Sequence, residues 1–207
     1  MRAAVRAILA IAIMALLASR ATAQSGAKAD PDWPCHQIKM PIYSLAAVWS
    51  GPELDLNSQS WRDDSDVADL AAKMTQRRIP IADVESAIAD FKAKAGADAD
   101  AKLLRALAAA FQDLSQQRSQ ILDGLERFGR KQRAMADRIR AENEAVLESA
   151  NQNQGGQAPL GADSQERLRW DMRVFDDRRQ TIAYVCETPT LIEQRIGAIA
   201  RAVQAAL

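Results

Sequence analysis

Histidine is almost missing from this chain of 207 residues: His36 is the only one. Cysteine stops at two, Cys35 and Cys186, glycine at nine, and aromatic residues make up 5%. With one histidine and two cysteines suited to bonding each other, the usual nucleophile and base pairs cannot be assembled. The sequence holds no G-x-S-x-G, no H-E-x-x-H, no phosphate-binding glycine loop and no G-x-G-x-x-G, so the common hydrolase, metalloprotease and nucleotide sites have no foundation. Without C-x-x-C-H, a c-type haem is excluded. The carboxylate pairs Asp63/Asp64 and Asp176/Asp177 fall on helix ends or faces, where capping and solubility account for them. The expectation is a protein that is not an enzyme and has no cofactor and no metal centre. An excess of charge of one sign is missing too. There are 27 basic and 27 acidic residues, and a nucleic-acid binder would be basic. No apolar run reaches the roughly 20 residues needed to span a bilayer.

The longest apolar run, Ala7 to Ala18, follows Arg2 and Arg6 and precedes Ala21-Thr22-Ala23. A basic start, a short apolar stretch and small residues two apart are the parts of a secretory signal peptide. Residues 1–23 read as that signal, cleaved near Ala23, which sends the chain to the periplasm or beyond. The mature chain loses three arginines, leaving 24 basic against 27 acidic residues. In an oxidising compartment the two cysteines read as one disulfide, Cys35–Cys186.

Residues 24–61 differ from the rest. Pro31, Pro34, Pro41 and Pro52 rule out a long helix, while Trp33, Trp49, Trp61, Tyr43 and the aliphatic residues between them rule out a purely disordered tail. This stretch reads as an irregular, Pro- and Trp-rich strap held on the helices by Cys35. Asp32-Trp33-Pro34-Cys35 and Val48-Trp49-Ser50-Gly51-Pro52 are its most distinctive strings. They resemble the start of uncharacterised exported bacterial proteins that carry a DWPC element followed by a VWSGP element. That resemblance covers about 20 residues. It implies export and a shared strap, and no activity.

Residues 62–207 have a helix-former's composition. Asp63, Asp64 and Ser65 are N-cap candidates for a helix carrying Val67, Leu70, Ala71 and Met74 to about Arg78. Pro80 opens a second, with Ile81, Val84, Ile88 and Phe91 on one face, closed by Gly96. A third runs from Asp98 to Ala150. In a heptad frame with Leu104 at position a, the a/d pairs are Leu104/Leu107, Phe111/Leu114, Arg118/Ile121, Leu125/Phe128, Gln132/Met135, Ile139/Glu142 and Val146/Ser149. Ten of the fourteen are apolar, which marks a coiled-coil seam. Residues 151–162 read as a tip loop and 163–187 as the return helix, with Leu168, Met172, Phe175, Arg179, Ile182 and Cys186 on its seam. Thr188-Pro189 breaks or kinks it, and 190–207 forms a last helix. The predicted fold is all-α: a long antiparallel, coiled-coil-like hairpin (98–150 and 163–187) with two shorter helices at its base. Counting from the loop sets Ile139 against Phe175, Gln132 against Ile182 and Cys186 near Phe128.

Two groups of residues invite a functional reading. Arg127, Arg130, Arg133, Arg138 and Arg140 on the outgoing helix, with Arg169 and Arg173 on the return, form an arginine band that could meet an acidic partner or an anionic membrane surface. Interleaved carboxylates give the plainer alternative, a solvated, ion-paired face. Arg118, Gln132 and Arg179 on the seam read as register devices. On the strap, Trp33, His36 and Trp49 could line a small-ligand site, and Cys35, His36 and Met40 could hold a soft metal. The alternative is tryptophans that anchor an irregular segment and a cysteine already spent in a disulfide. The first expectation is an exported interaction or scaffold protein whose rigid hairpin contacts an envelope protein. The alternatives are an ATP-independent periplasmic chaperone, and a small-ligand or metal binder acting through the strap. The heptads could also close between two chains, as a homodimer.

Overall fold

The computed structural model describes residues 30–152 and 162–207. The chain divides into two units, residues 1–30 and 31–207, and every described helix belongs to the second. The expected signal segment and most of the expected tip loop, residues 153–161, lie outside the described residues.

Among the described residues the regular structure is helical. Asp64 caps the first helix, α1 (Ser65–Thr75): its Oδ1 accepts from the Val67 N–H at 3.3 Å and its Oδ2 meets Lys102 Nζ at 2.9 Å. That bond from Lys102 leads the causes holding the Asp64 carboxyl below its ordinary range. α1 stops at Thr75, short of Arg78, because Ile79 precedes Pro80 and is pushed out of the helical region. Arg195 holds the end of α1 and the turn after it: its Nε donates to Met74 O at 2.8 Å and its Nη1 donates to Ile79 O at 2.6 Å. The second helix, α2 (Ile81–Ala95), ends at Gly96, which adopts φ 65°, a conformation other residues rarely take.

The third helix, α3 (Ala99–Gln152), is 54 residues long, about 81 Å at 1.5 Å per residue. The fourth, α4, runs unbroken from Ala162 to Ala206 with Pro189 inside it. This corrects the expectation of two helices, 163–187 and 190–207. A mid-helix proline costs roughly 3 kcal/mol by removing one donor and crowding the preceding turn. Here two side-chain hydrogen bonds brace the turn, one of them from outside the helix. Gln37 Nε2 donates to Cys186 O, Thr188 Oγ1 donates to Tyr184 O at 3.5 Å, and Pro189 itself is buried. Beyond it Ile192, Ile196, Ile199 and Val203 are all but fully buried, at the spacing of one helical face.

The core lies at one end. Val67, Met74, Val84, Ile88, Leu103, Leu107 and Leu114 from α1, α2 and the start of α3 close on that C-terminal face of α4. Each such aliphatic side chain contributes on the order of 2 kcal/mol of burial. Further along, Arg118 meets Glu193, Gln132 meets Phe175 and Arg138 meets Asp171. Numbers that rise along α3 fall along α4, so the two lie side by side with opposite chain directions. Every a/d position from Leu104 to Ser149 is buried or half-buried, while Glu144, Ala145, Leu147 and Glu148 between them are exposed. The pairing is slipped from the one counted from the loop. Gln132 donates to Phe175 O, seven residues from Ile182, and Cys186 packs with Leu122 and Leu125. Packing at the base sets the register, and the loop midpoint does not. On α4 the slip moves Asp171 toward the seam and leaves Met172 49% exposed; Arg179, expected on the seam, is exposed as well.

Residues 31–64 carry two short 3-10 turns, Leu45–Ala47 and Ser60–Asp63, in otherwise irregular chain. Cys35 is bonded to Cys186 with their Cα atoms 5.6 Å apart.

Candidate functional site

Three places on residues 31–207 concentrate chemistry. The first is where the N-terminal segment crosses α3 and α4. Trp33 Nε1 donates to Gln37 O at 2.7 Å, and the ring packs by the disulfide with Leu122 and Leu125. Arg118 is 3% exposed. Its Nε donates to Glu193 Oε1 and its Nη2 to Met40 O, both at 2.6 Å, and its guanidinium stands 5.7 Å from the Tyr43 ring centre. It ties α3, α4 and the segment together. Tyr43 Oη donates to Glu193 O at 3.5 Å. Burial first, and the Glu193 charge second, push the Tyr43 phenol above its ordinary range. Gly129 lies where the chain passes closest: a Cβ there would collide with the Asp32 carbonyl.

Trp33, His36 and Trp49 are not gathered into one site. Trp49 belongs to the main core, 8% exposed, and its Nε1 donates to Pro52 O at 2.7 Å. Trp33 lines two shallow cavities, of about 100 Å³ with Arg118 and Pro189 and about 230 Å³ with Gly129 and Phe175; Trp49 lines neither. His36 is exposed and the Cys35 sulfur is bonded to Cys186. Among the described residues no group of three His, Cys, Asp or Glu side chains could hold a metal ion.

The second place is the arginine band. Arg130 and Arg133 pair with Asp32, Arg138 reaches Asp171 at 2.7 Å, and Arg140 reaches Asp137 at 3.0 Å. Four of the expected contact arginines are thus engaged within the chain. Arg127 and Arg169 are exposed. Arg173 stands 5.5 Å from the ring centre of Trp170, which is 60% exposed. Trp170, with Arg169 and Arg173 beside it, is the feature of this stretch that internal pairing leaves outward.

The third place was not singled out from the sequence. Ile121, Gly124, Leu125 and Phe128 of α3 face Ile182 and Val185 of α4 across an open apolar groove of about 420 Å³, with Asp177, Arg178 and Thr181 along the α4 side. Val185 is 39% exposed and its neighbour Tyr184 79%. Gly124 inside a helix was the available signal. A polar hollow of about 280 Å³ between α1 and α2 is lined by Asp66, Asp69, Lys73, Asp90, Lys94 and Lys102, mixed charge on a solvated surface. Sequence reading also missed the buried Arg195, whose burial lowers its pKa; its carbonyl partners make it a clamp on the α1–α2 turn.

These features define a disulfide-bonded, all-helical protein in which no described helix is long and apolar enough to cross a membrane. No family model, no curated protein and no solved structure matches the chain.

Proposed function

We propose that this is an exported interaction or scaffold protein that works by contact. In this reading α3 and α4 are the two limbs of one antiparallel, coiled-coil-like hairpin, the Pro/Trp-rich strap braces its base, and the far part of the hairpin touches a partner in the cell envelope. The observation that carries the reading is the outward Trp170 stacked with Arg173. A tryptophan exposed to this degree contributes nothing to its own core, and Trp with Arg is the pair most enriched where protein interfaces are strongest. The length of α3 beyond the core supports it too, since a charged helical pair so long adds little to folding and much to reach. The signal-like residues 1–23, the DWPC and VWSGP elements and the disulfide, a bond that persists in oxidising compartments, support the reading of export.

In-cell photo-crosslinking tests the proposal. A photoreactive residue at Trp170, or at Gln157 in the segment between the helices, should give one dominant protein adduct, and one at His36 should give none. A diffuse set of many adducts at Trp170 would favour the chaperone alternative. No adduct at either hairpin position would sink the contact reading.

A further inference from the structure

Two glycines sit inside α3, and packing among the described residues explains only one of them. Gly129 leaves room for the Asp32 backbone. Gly124 leaves room for nothing among the described residues: a Cβ there would meet only Arg127 Nη2 of them, at 3.8 Å. A glycine inside a helix is a cost to stability, so the space above it calls for an occupant. The N-terminal segment does not supply one, because it crosses the other side of α3. Lys39 reaches Glu126, and Glu126 stands about 200° round the helix from Gly124 at 100° per residue. The space above Gly124 is the floor of the apolar groove, and the half-exposed Val185 lies on the opposite wall.

The rims carry opposite charge. Arg127 and Lys131 stand on the α3 side; on the α4 side stands Asp177, beside an Arg178 whose Nη1 is turned onto Met135 Sδ at 3.7 Å. Arg127, Lys131 and Asp177 are exposed, and none of them is engaged in an ion pair with another described residue. Their levels also match. The alignment that sets Gln132 beside Phe175 and Arg138 beside Asp171 puts Lys131 level with Asp177 and Gly124 level with Val185. A two-fold axis running along the helices would keep those levels and lay α3 of one copy over α4 of another.

We propose that the groove is the interface with a second copy of this chain. Val185 of each copy enters the space above Gly124 of the other, and Lys131 and Arg127 face Asp177 of the second copy. Four helices then enclose the apolar strip, each beside neighbours of opposite direction, and one self-complementary patch closes the assembly. This goes beyond the contact reading and stands apart from it, since Trp170 is on a different stretch of α4.

Sedimentation of the chain recovered from cells tests it. The wild type should be a dimer. Gly124→Glu and Val185→Asp each put a carboxylate into the strip and should weaken the dimer by roughly a hundredfold. Both positions are open in the single chain, so neither variant should melt appreciably below the wild type in dilute solution, and Gly124→Glu should melt slightly above it through helix propensity. Lys131→Asp should weaken the dimer, and Lys131→Asp with Asp177→Lys should restore it. A monomeric wild type at every concentration would overturn the proposal. So would a dimer that the two carboxylates leave intact, or one that the charge exchange does not restore.

Discussion

Arg118 shows how one side chain fixes the relation of three chain segments. Its guanidinium is desolvated, yet its donors reach Glu193 and the Met40 carbonyl. Arg118→Leu would leave Glu193 without its partner and the Met40 carbonyl without its donor. We expect a loss of about 2–3 kcal/mol by chemical denaturation, below the usual cost for a buried pair because Glu193 keeps some solvent. The two α3 glycines should behave oppositely. Gly129→Ala forces Asp32 aside and should destabilise by about 1–3 kcal/mol. Gly124→Ala, measured in dilute solution, should stabilise by about 0.5–1 kcal/mol through helix propensity alone. Tyr43 gives a pH dependence of defined sign. Its folded-state pKa lies above the ordinary 10.0, so its contribution is fully present below pH 10.0 and is lost as pH rises through the folded value. Tyr43→Phe should flatten that alkaline loss in a series of melts and leave the acid side unchanged.

At the scale of elements, periodicity was legible and interruption was not. The heptad frame placed α3's buried side correctly over fourteen positions because side-chain burial repeats with the helix itself. Val67, Val84, Ile88, Ile192 and Ile196 were legible for the same reason. Pro189 misled, because the support that keeps α4 continuous comes from Gln37, far away in sequence, and no local rule sees it. The register misled because it was counted from the loop, whereas the apolar residues near Leu114 and Ile192 set it. The groove was invisible because its meaning depends on what is absent above Gly124, and a sequence shows a glycine without showing the space. Gln37→Ala tests the account of Pro189. Hydrogen exchange at residues 185–190 should speed up while α1 and α2 keep their protection.

For the whole molecule, the disulfide closes a sequence separation of 151 residues. In the chain-entropy model a loop of that size is worth roughly 5 kcal/mol. Replacing Cys35 and Cys186 together by alanine should lower stability by up to about that amount and loosen the N-terminal segment first, since Trp33 and Gln37 flank the bond. The core at the base should survive as a helical body. Composition made the helical class and the cysteine pair legible from the start. Which surfaces face outward was not legible, because the arginine band looked uniform in sequence and only the partners of Arg130, Arg133, Arg138 and Arg140 separate it from Trp170 and Arg173.

The central claim is that the far part of the paired helices makes the functional contact. Scanning a photoreactive residue along α4 in living cells tests it most directly, with positions Arg169, Trp170 and Arg173 set against Leu191 near the base. The account predicts one recurrent adduct at the first three positions, lost when Trp170→Ala is introduced beside the probe at Arg173, and none at Leu191. Adducts at Leu191 alone, or an adduct at Arg173 that persists without Trp170, would contradict it.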